Sequence, residues 1–145
     1  MTTFSTSRQY AATPAAVFAA MKDPARLARW WGPDGFSNCI DVFEFHTGGK
    51  WIFTMIGPDG TAYPNESVFS SIEADRELVI RHTKQPHFQL KITLEPSSNG
   101  TLLRWVQTFA DAAVADAMRH IVVPANEQNL NRLDVELGLS DTSAA

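Results

Sequence analysis

Hydrophobic and polar positions change period twice along the chain, and the changes divide it into three parts. The first part opens on Phe4–Tyr10, which reads as a strand. Thr13 then precedes Pro14, an N-cap residue followed by proline at the first helical position. Val17, Phe18 and Met21 recur at helical spacing. Asp23-Pro24 ends that helix and opens a second short one, with Leu27, Trp30 and Trp31 on its apolar side, and Gly32-Pro33 stops it. From Phe36 the period becomes two. Strands are predicted at about 37–46, 49–57, 63–73, 77–84, 87–96 and 101–110, with ends good to ~2–4 residues. Thr47-Gly48-Gly49, Gly57-Pro58-Asp59-Gly60, Ala74-Asp75-Arg76 and Ser97-Ser98-Asn99-Gly100 are turn-like. Connections this short make hairpins, so the strands form an antiparallel meander.

Alternation assigns the faces. Phe88, Leu90, Ile92 and Leu94 alternate with Gln89, Lys91 and Thr93 and face the core. Arg104 on the wet side turns Leu103, Trp105, Gln107 and Phe109 inward, and Arg81 does the same for Leu78, Ile80 and His82. Trp51, Phe53 and Met55 share one face. The last third returns to a helical period. Met118, Ile121, Val122, Ala125, Leu130, Leu133 and Leu137 make one broad apolar stripe. Pro124 interrupts it, so either a helix ends near Val123 and another begins, or one helix kinks there. One strand, two short helices, six strands and a long helix define an α+β layer packing. If the sheet curves, the space beneath the long helix can be a cavity.

Composition narrows the classes of function. The 145 residues suit one domain, with Ser140–Ala145 read as a loose tail, and 44% apolar residues allow a real core. A net charge of -4 argues against nucleic acid as a partner. The single cysteine, Cys39, forms no internal disulfide, suits a reducing cytoplasm and reads as a half-buried strand residue. The first residues lack the pattern of a secretory signal, and no apolar run nears the ~20 residues that span a bilayer, so no membrane insertion and a cytoplasmic location are expected.

Six segments carry a family resemblance. They are Ala12-Thr13-Pro14 with Val17-Phe18, Trp30-Trp31-Gly32-Pro33, Gly48-Gly49-Lys50-Trp51-Ile52-Phe53, Gly57-Pro58-Asp59-Gly60, Tyr63-Pro64-Asn65-Glu66-Ser67, and Asn126-Glu127-Gln128-Asn129-Leu130-Asn131-Arg132-Leu133. In order and spacing this set resembles the bacterial proteins grouped with the C-terminal domain of the activator of Hsp90 ATPase, within the START-like, or polyketide cyclase-like, superfamily. The likeness runs from about Phe4 to Leu139. It implies a helix-grip fold, a curved antiparallel sheet around a long C-terminal helix, and a hydrophobic cavity. It implies no single reaction, because the superfamily includes lipid carriers, cyclases, receptors and chaperone regulators. Relatives often carry Asp-x-Arg before the Gly-Gly turn, where this chain has Glu44-Phe45-His46.

Candidate chemistry lies where polarity and position conflict. His82, Gln107 and Asn129 fall on inward faces, and Asn126 lies close to the helical stripe. Each needs a partner, which an ordinary core or a ligand could supply. Trp51, Phe53, Phe88, Leu90, Trp105 and Leu133 are expected to enclose the pocket. Trp30 and Trp31, adjacent on a short helix, cannot point the same way, so one is core and the other a wall or rim. Glu66 shares strand parity with Val68 and Ile72, whereas Phe69 votes for the opposite face. Facing inward, Glu66 and His82 would be the candidate catalytic acid–base pair; facing outward, Glu66 is a rim glutamate. No metal-ligand spacing is present and no cofactor motif appears. Three functions follow: binding of a small apolar molecule, cofactor-free catalysis on an apolar substrate, or a chaperone-interaction module. An Asn129→Leu substitution separates a ligand-orienting Asn129 from a structural one.

Overall fold

A computed structural model describes residues 1–138; the expected tail at 140–145 lies outside them. The elements are β1 (Thr2–Tyr10), α1 (Pro14–Lys22), α2 (Pro24–Trp30), β2 (Ser37–Phe43), β3 (Lys50–Ile56), β4 (Ala62–Glu73), β5 (Glu77–His82), β6 (Phe88–Ser97), β7 (Gly100–Phe109) and α3 (Ala112–Glu136). The strands form one curved antiparallel sheet in the order β1-β7-β6-β5-β4-β3-β2. β2 to β7 are a plain meander, and β1 closes on β7, with Phe4 opposite Gln107.

Each helix begins where the sequence supplies an oxygen for its free N–H groups. Thr13 Oγ1 accepts from Ala16 N, Asp23 Oδ1 from Ala25 N, and Asp111 Oδ1 from Ala113 N and Val114 N. α3 is a single helix with Pro124 inside it, which settles the two alternatives in favour of continuity. Its buried side is Ala115, Val122, Asn129, Leu130 and Leu133. Ile121, expected on that side, is 56% exposed. The positions 115, 122 and 129 mark the centre of the buried face, and Ile121 sits one residue, about 100°, off it.

Two bulges decide which strand residues face the helix. In β2 the register shifts between Ile40 and Val42, and in β4 between Phe69 and Ser71. The second makes Ser70 the extra residue, so Phe69 and Ile72 both reach the inner face although their spacing is odd. Glu66, before the bulge, then falls on the outer face. β2 ends at Phe43, sooner than expected, because Glu44 turns the chain: its carboxylate accepts from Lys50 N at 3.0 Å. A side chain at Gly49 would collide with the Glu44 carbonyl, so only glycine fits that turn. His46 is exposed, and its Nδ1 lies 3.2 Å from Thr47 O. Cys39, on edge strand β2, is exposed rather than half-buried.

The core lies between the inner face and the three helices. Trp30, Trp51, Trp105, Tyr10, Phe69 and Leu133 are among its largest fully buried side chains.

Candidate functional site

Register places one row of inner-face residues across the sheet: Phe43, Trp51, Ser67, His82, Phe88 and Phe109, each opposite the next. Aromatic rings dominate the β2–β3 side of this row. Trp51 stacks on Phe53 with centroids 4.2 Å apart, and its plane lies within 6° of that of Phe69. From above comes Trp31, just past the end of α2, with its ring 5.0 Å from Trp51 and 5.7 Å from Trp105. Its neighbour Trp30 is wholly buried, meets the Trp31 ring edge-on with centroids 5.5 Å apart, and donates its indole N–H to Ala20 O at 3.0 Å. Trp30 lies in the core and Trp31 is half-buried over the sheet.

Polar groups in the interior fall into two kinds. Most are paired. The Tyr10 hydroxyl donates to Leu130 O at 2.7 Å, and burial raises its pKa above the ordinary phenol value. Asn126 Nδ2 donates to Gln107 Oε1 at 3.0 Å. Asn129 donates to Trp30 O and accepts from Gly32 N. His82 stacks on Phe88 with centroids 4.7 Å apart. Its Nδ1 lies 2.9 Å from both Lys84 O and Pro86 O, and its Nε2 lies 3.0 Å from Asn65 Oδ1. The second kind is unpaired. Trp51 and Trp105 are each 1% exposed, and neither indole N–H has a hydrogen-bond partner among the described residues. The third unpaired atom, Asn38 Oδ1, belongs to the α2–β2 contact, where the amide nitrogen holds Ala28 O and Trp31 O.

Two sequence expectations need correction. Glu66 does not pair with His82. The β4 bulge leaves Glu66 on the outer face, where its carboxylate meets Lys84 Nζ at 2.8 Å, and Asn65 takes the imidazole instead. The acid–base pair is therefore not assembled. Nor do the six expected wall residues enclose an open pocket. Trp51, Phe53, Leu90, Trp105 and Leu133 pack into one core, each 3% exposed or less. Only Phe88 lines a surface cleft, of about 560 Å³ beside His82, and Arg81, Gln89 and Thr108 place that cleft largely on the outer side of the sheet. Asn65 and Ser67, on the inner side of β4, were missed. Their parity with Phe69 was the available signal.

Arg132 was also missed as a site-forming residue. Its guanidinium donates to five carbonyls: Trp31, Gly32 and Pro33 through Nη1, and Arg29 and Phe36 through Nη2. Burial lowers its pKa from the usual arginine value. Gln128 Oε1 accepts from Asp34 N in the same segment. Gln128, Asn129 and Arg132 thus moor the chain that carries Trp31, which accounts physically for the Asn126–Leu133 segment.

A curved antiparallel sheet gripping a long C-terminal helix, with an aromatic inner face between them, defines a helix-grip protein of the START-like class. The sequence model described as Activator of Hsp90 ATPase homolog 1-like protein matches residues 11–138, and the chain belongs to that family. Solved structures agree. A protein from Arthrobacter aurescens is 26% identical, with 96% of this chain and 87% of that one covered and a TM-score of 0.87. One from Rhodobacter sphaeroides is 26% identical over 97% and 94% of the two chains, with a TM-score of 0.83. An AHSA1-like protein from Aeromonas hydrophila shares the fold at 19% identity, covering 97% and 96%, with a TM-score of 0.77. No curated protein matches the chain. Among the described residues no helix is long and apolar enough to cross a membrane, and no cluster of side chains is suited to a metal ion.

Proposed function

We propose that this protein binds a small, largely apolar molecule on the inner face of its sheet, against Trp31, Trp51 and Trp105. One observation carries the reading: the two buried indole N–H groups without partners. A buried donor left unpaired costs about 1–3 kcal/mol, and among the described residues these two are the buried side-chain donors without a partner. A guest seated on the aromatic face would complete them. Trp31 provides the way in. It is the half-buried member of the group, it lies beyond the end of α2, and its ring covers the other two. Swinging that ring outward would uncover the part of Trp51 that it meets edge-on, at 68°. Catalysis has less support, because the only acid–base pair suggested by the sequence is held apart.

The test is a titration with N-phenyl-1-naphthylamine, a neutral apolar fluorophore. Saturable binding of one molecule per chain, with energy transfer from tryptophan, is expected. Emission that rises without saturation, or no transfer from tryptophan, would contradict the proposal.

A further inference from the structure

The outer side of the sheet carries a recess of its own, and we infer that it binds a small organic acid through the carboxylate. A row of outward side chains crosses the sheet there. Arg81 of β5 stands opposite Gln89 of β6, and Gln89 stands opposite Thr108 of β7. All of them line the cleft of about 560 Å³, and His87, in the turn just before β6, joins them. Each brings a donor: the planar guanidinium fork of Arg81, the amide of Gln89, and a ring N–H of His87 in either tautomer. Thr108 Oγ1 lies 3.0 Å from Thr3 Oγ1, so with Thr3 donating, the hydrogen of Thr108 is free for a guest. Among the described residues no carboxylate lines the cleft.

Arg81 differs from the other long cations on this side of β5, β6 and β7. Lys91 meets Glu77 at 3.5 Å and Arg104 meets Glu95 at 3.4 Å, whereas Arg81 has no ion-pair partner among the described residues. Glu66 lies two residues from Val68, which stands opposite Arg81, but its carboxylate is taken by Lys84 Nζ at 2.8 Å. Neighbouring strands lie about 4.8 Å apart, so the row from Arg81 to Thr108 spans roughly 10 Å. A carboxylate seated within it can take paired N–H groups from the guanidinium on one side and donors from Gln89 and Thr108 on the other. The rest of the guest is set by the apolar surface beside these donors. Half-buried Phe88, the first residue of β6, and Ala110, just past the end of β7, line the same cleft. An aryl or alkyl body can lie against them, whereas bare phosphate would leave that surface wet. This site lies across the sheet from the tryptophan face, and neither reading depends on the other.

The experiment titrates 2-naphthoate and 2-naphthamide, alike in shape and different in charge, into the intact isotope-labelled protein at low salt, where exposed charges are least screened. The reporters are the Arg81 Nε–H and Gln89 side-chain amide signals of a nitrogen–proton correlation spectrum. The acid should move both and saturate, binding about tenfold more tightly than the amide, the value of a charge-assisted pair over a neutral hydrogen bond. Arg81 is exposed, so Arg81→Gln keeps the fold, and it should bring the two compounds level. Arg81→Lys should recover only part of the preference, because an ammonium lacks the fork. Equal affinity for acid and amide, reporters that stay still, or an unchanged preference in Arg81→Gln would each overturn the inference. Equal movement of the reporters by inorganic phosphate would overturn it too. So would displacement of N-phenyl-1-naphthylamine by the acid, which would place the acid on the inner face.

Discussion

Asn129 and Arg132 show how a polar side chain in an apolar setting is to be read. On the sequence, Asn129 could orient a ligand or serve the core. Its contacts to Trp30 O and Gly32 N make it a brace for the chain that bears Trp31. Asn129→Leu leaves two backbone groups unpaired in the interior, and stability should fall by about 2–4 kcal/mol, read from urea unfolding midpoints. A Leu variant of unchanged stability would return Asn129 to the ligand. Arg132→Met should cost about 3 kcal/mol or more, because five carbonyls lose a charged donor. Arg132→Lys should recover only part of that, since an ammonium cannot span two groups of carbonyls as the guanidinium fork does. Full recovery by lysine would show that charge alone matters. Inward facing was legible for His82 and Gln107 because they alternate with unambiguous polar residues on regular strands. Glu66 was not legible, since the single extra residue at Ser70 reverses parity along β4 and leaves no compositional trace.

At the scale of elements, caps and turns were the most readable features. Thr13-Pro14, Asp23-Pro24 and the glycine turns act locally, so their chemistry is complete within a few residues. Continuity through Pro124 was not readable, because proline can stop or interrupt a helix and tertiary packing chooses. α3 stays whole because its packing is anchored on both sides of the proline: Ala115 and Val122 before it, Leu130 and Leu133 after it. Pro124 is exposed, lacks an N–H, and so leaves the His120 carbonyl without its helical donor. Pro124→Ala should therefore stabilise the protein by about 1–3 kcal/mol, seen as a higher melting temperature. A lower one would mean that the proline bend itself fits α3 to the sheet.

Across the whole molecule, the grip of α3 is set by ion pairs at two places. Glu136 accepts from Arg29 and Arg26 of α2 at 2.9 Å, and these contacts hold its carboxyl below the ordinary carboxylate range. Glu127 is lowered likewise, by a hydrogen bond to Thr6 and by Arg8 of β1. In the unfolded chain both return to about 4.3. Between the folded and unfolded values the unfolded chain binds more protons, so stability rises with pH there. The contribution is complete above the unfolded value and disappears as pH falls through the folded ones. The double variant Glu127→Gln, Glu136→Gln should show a flatter acid limb than the unaltered protein as pH falls below the ordinary glutamate range. Limbs of equal slope would contradict the role of these pairs.

The fold was readable at this scale because element order and hairpin lengths fix a meander under one helix. An open cavity was not, because parity gives the direction of a side chain and not how tightly its neighbours fill the space. Binding at the tryptophan face is thus the central claim, and the indole region of a nitrogen–proton correlation spectrum tests it most directly. Four tryptophans give four indole signals, assigned through single Phe variants. On titration with N-phenyl-1-naphthylamine, the Trp51 and Trp105 signals should move together and saturate, while that of Trp30, bonded to Ala20 O, stays in place. Saturable binding with Trp51 and Trp105 unmoved would place the ligand elsewhere and contradict the account.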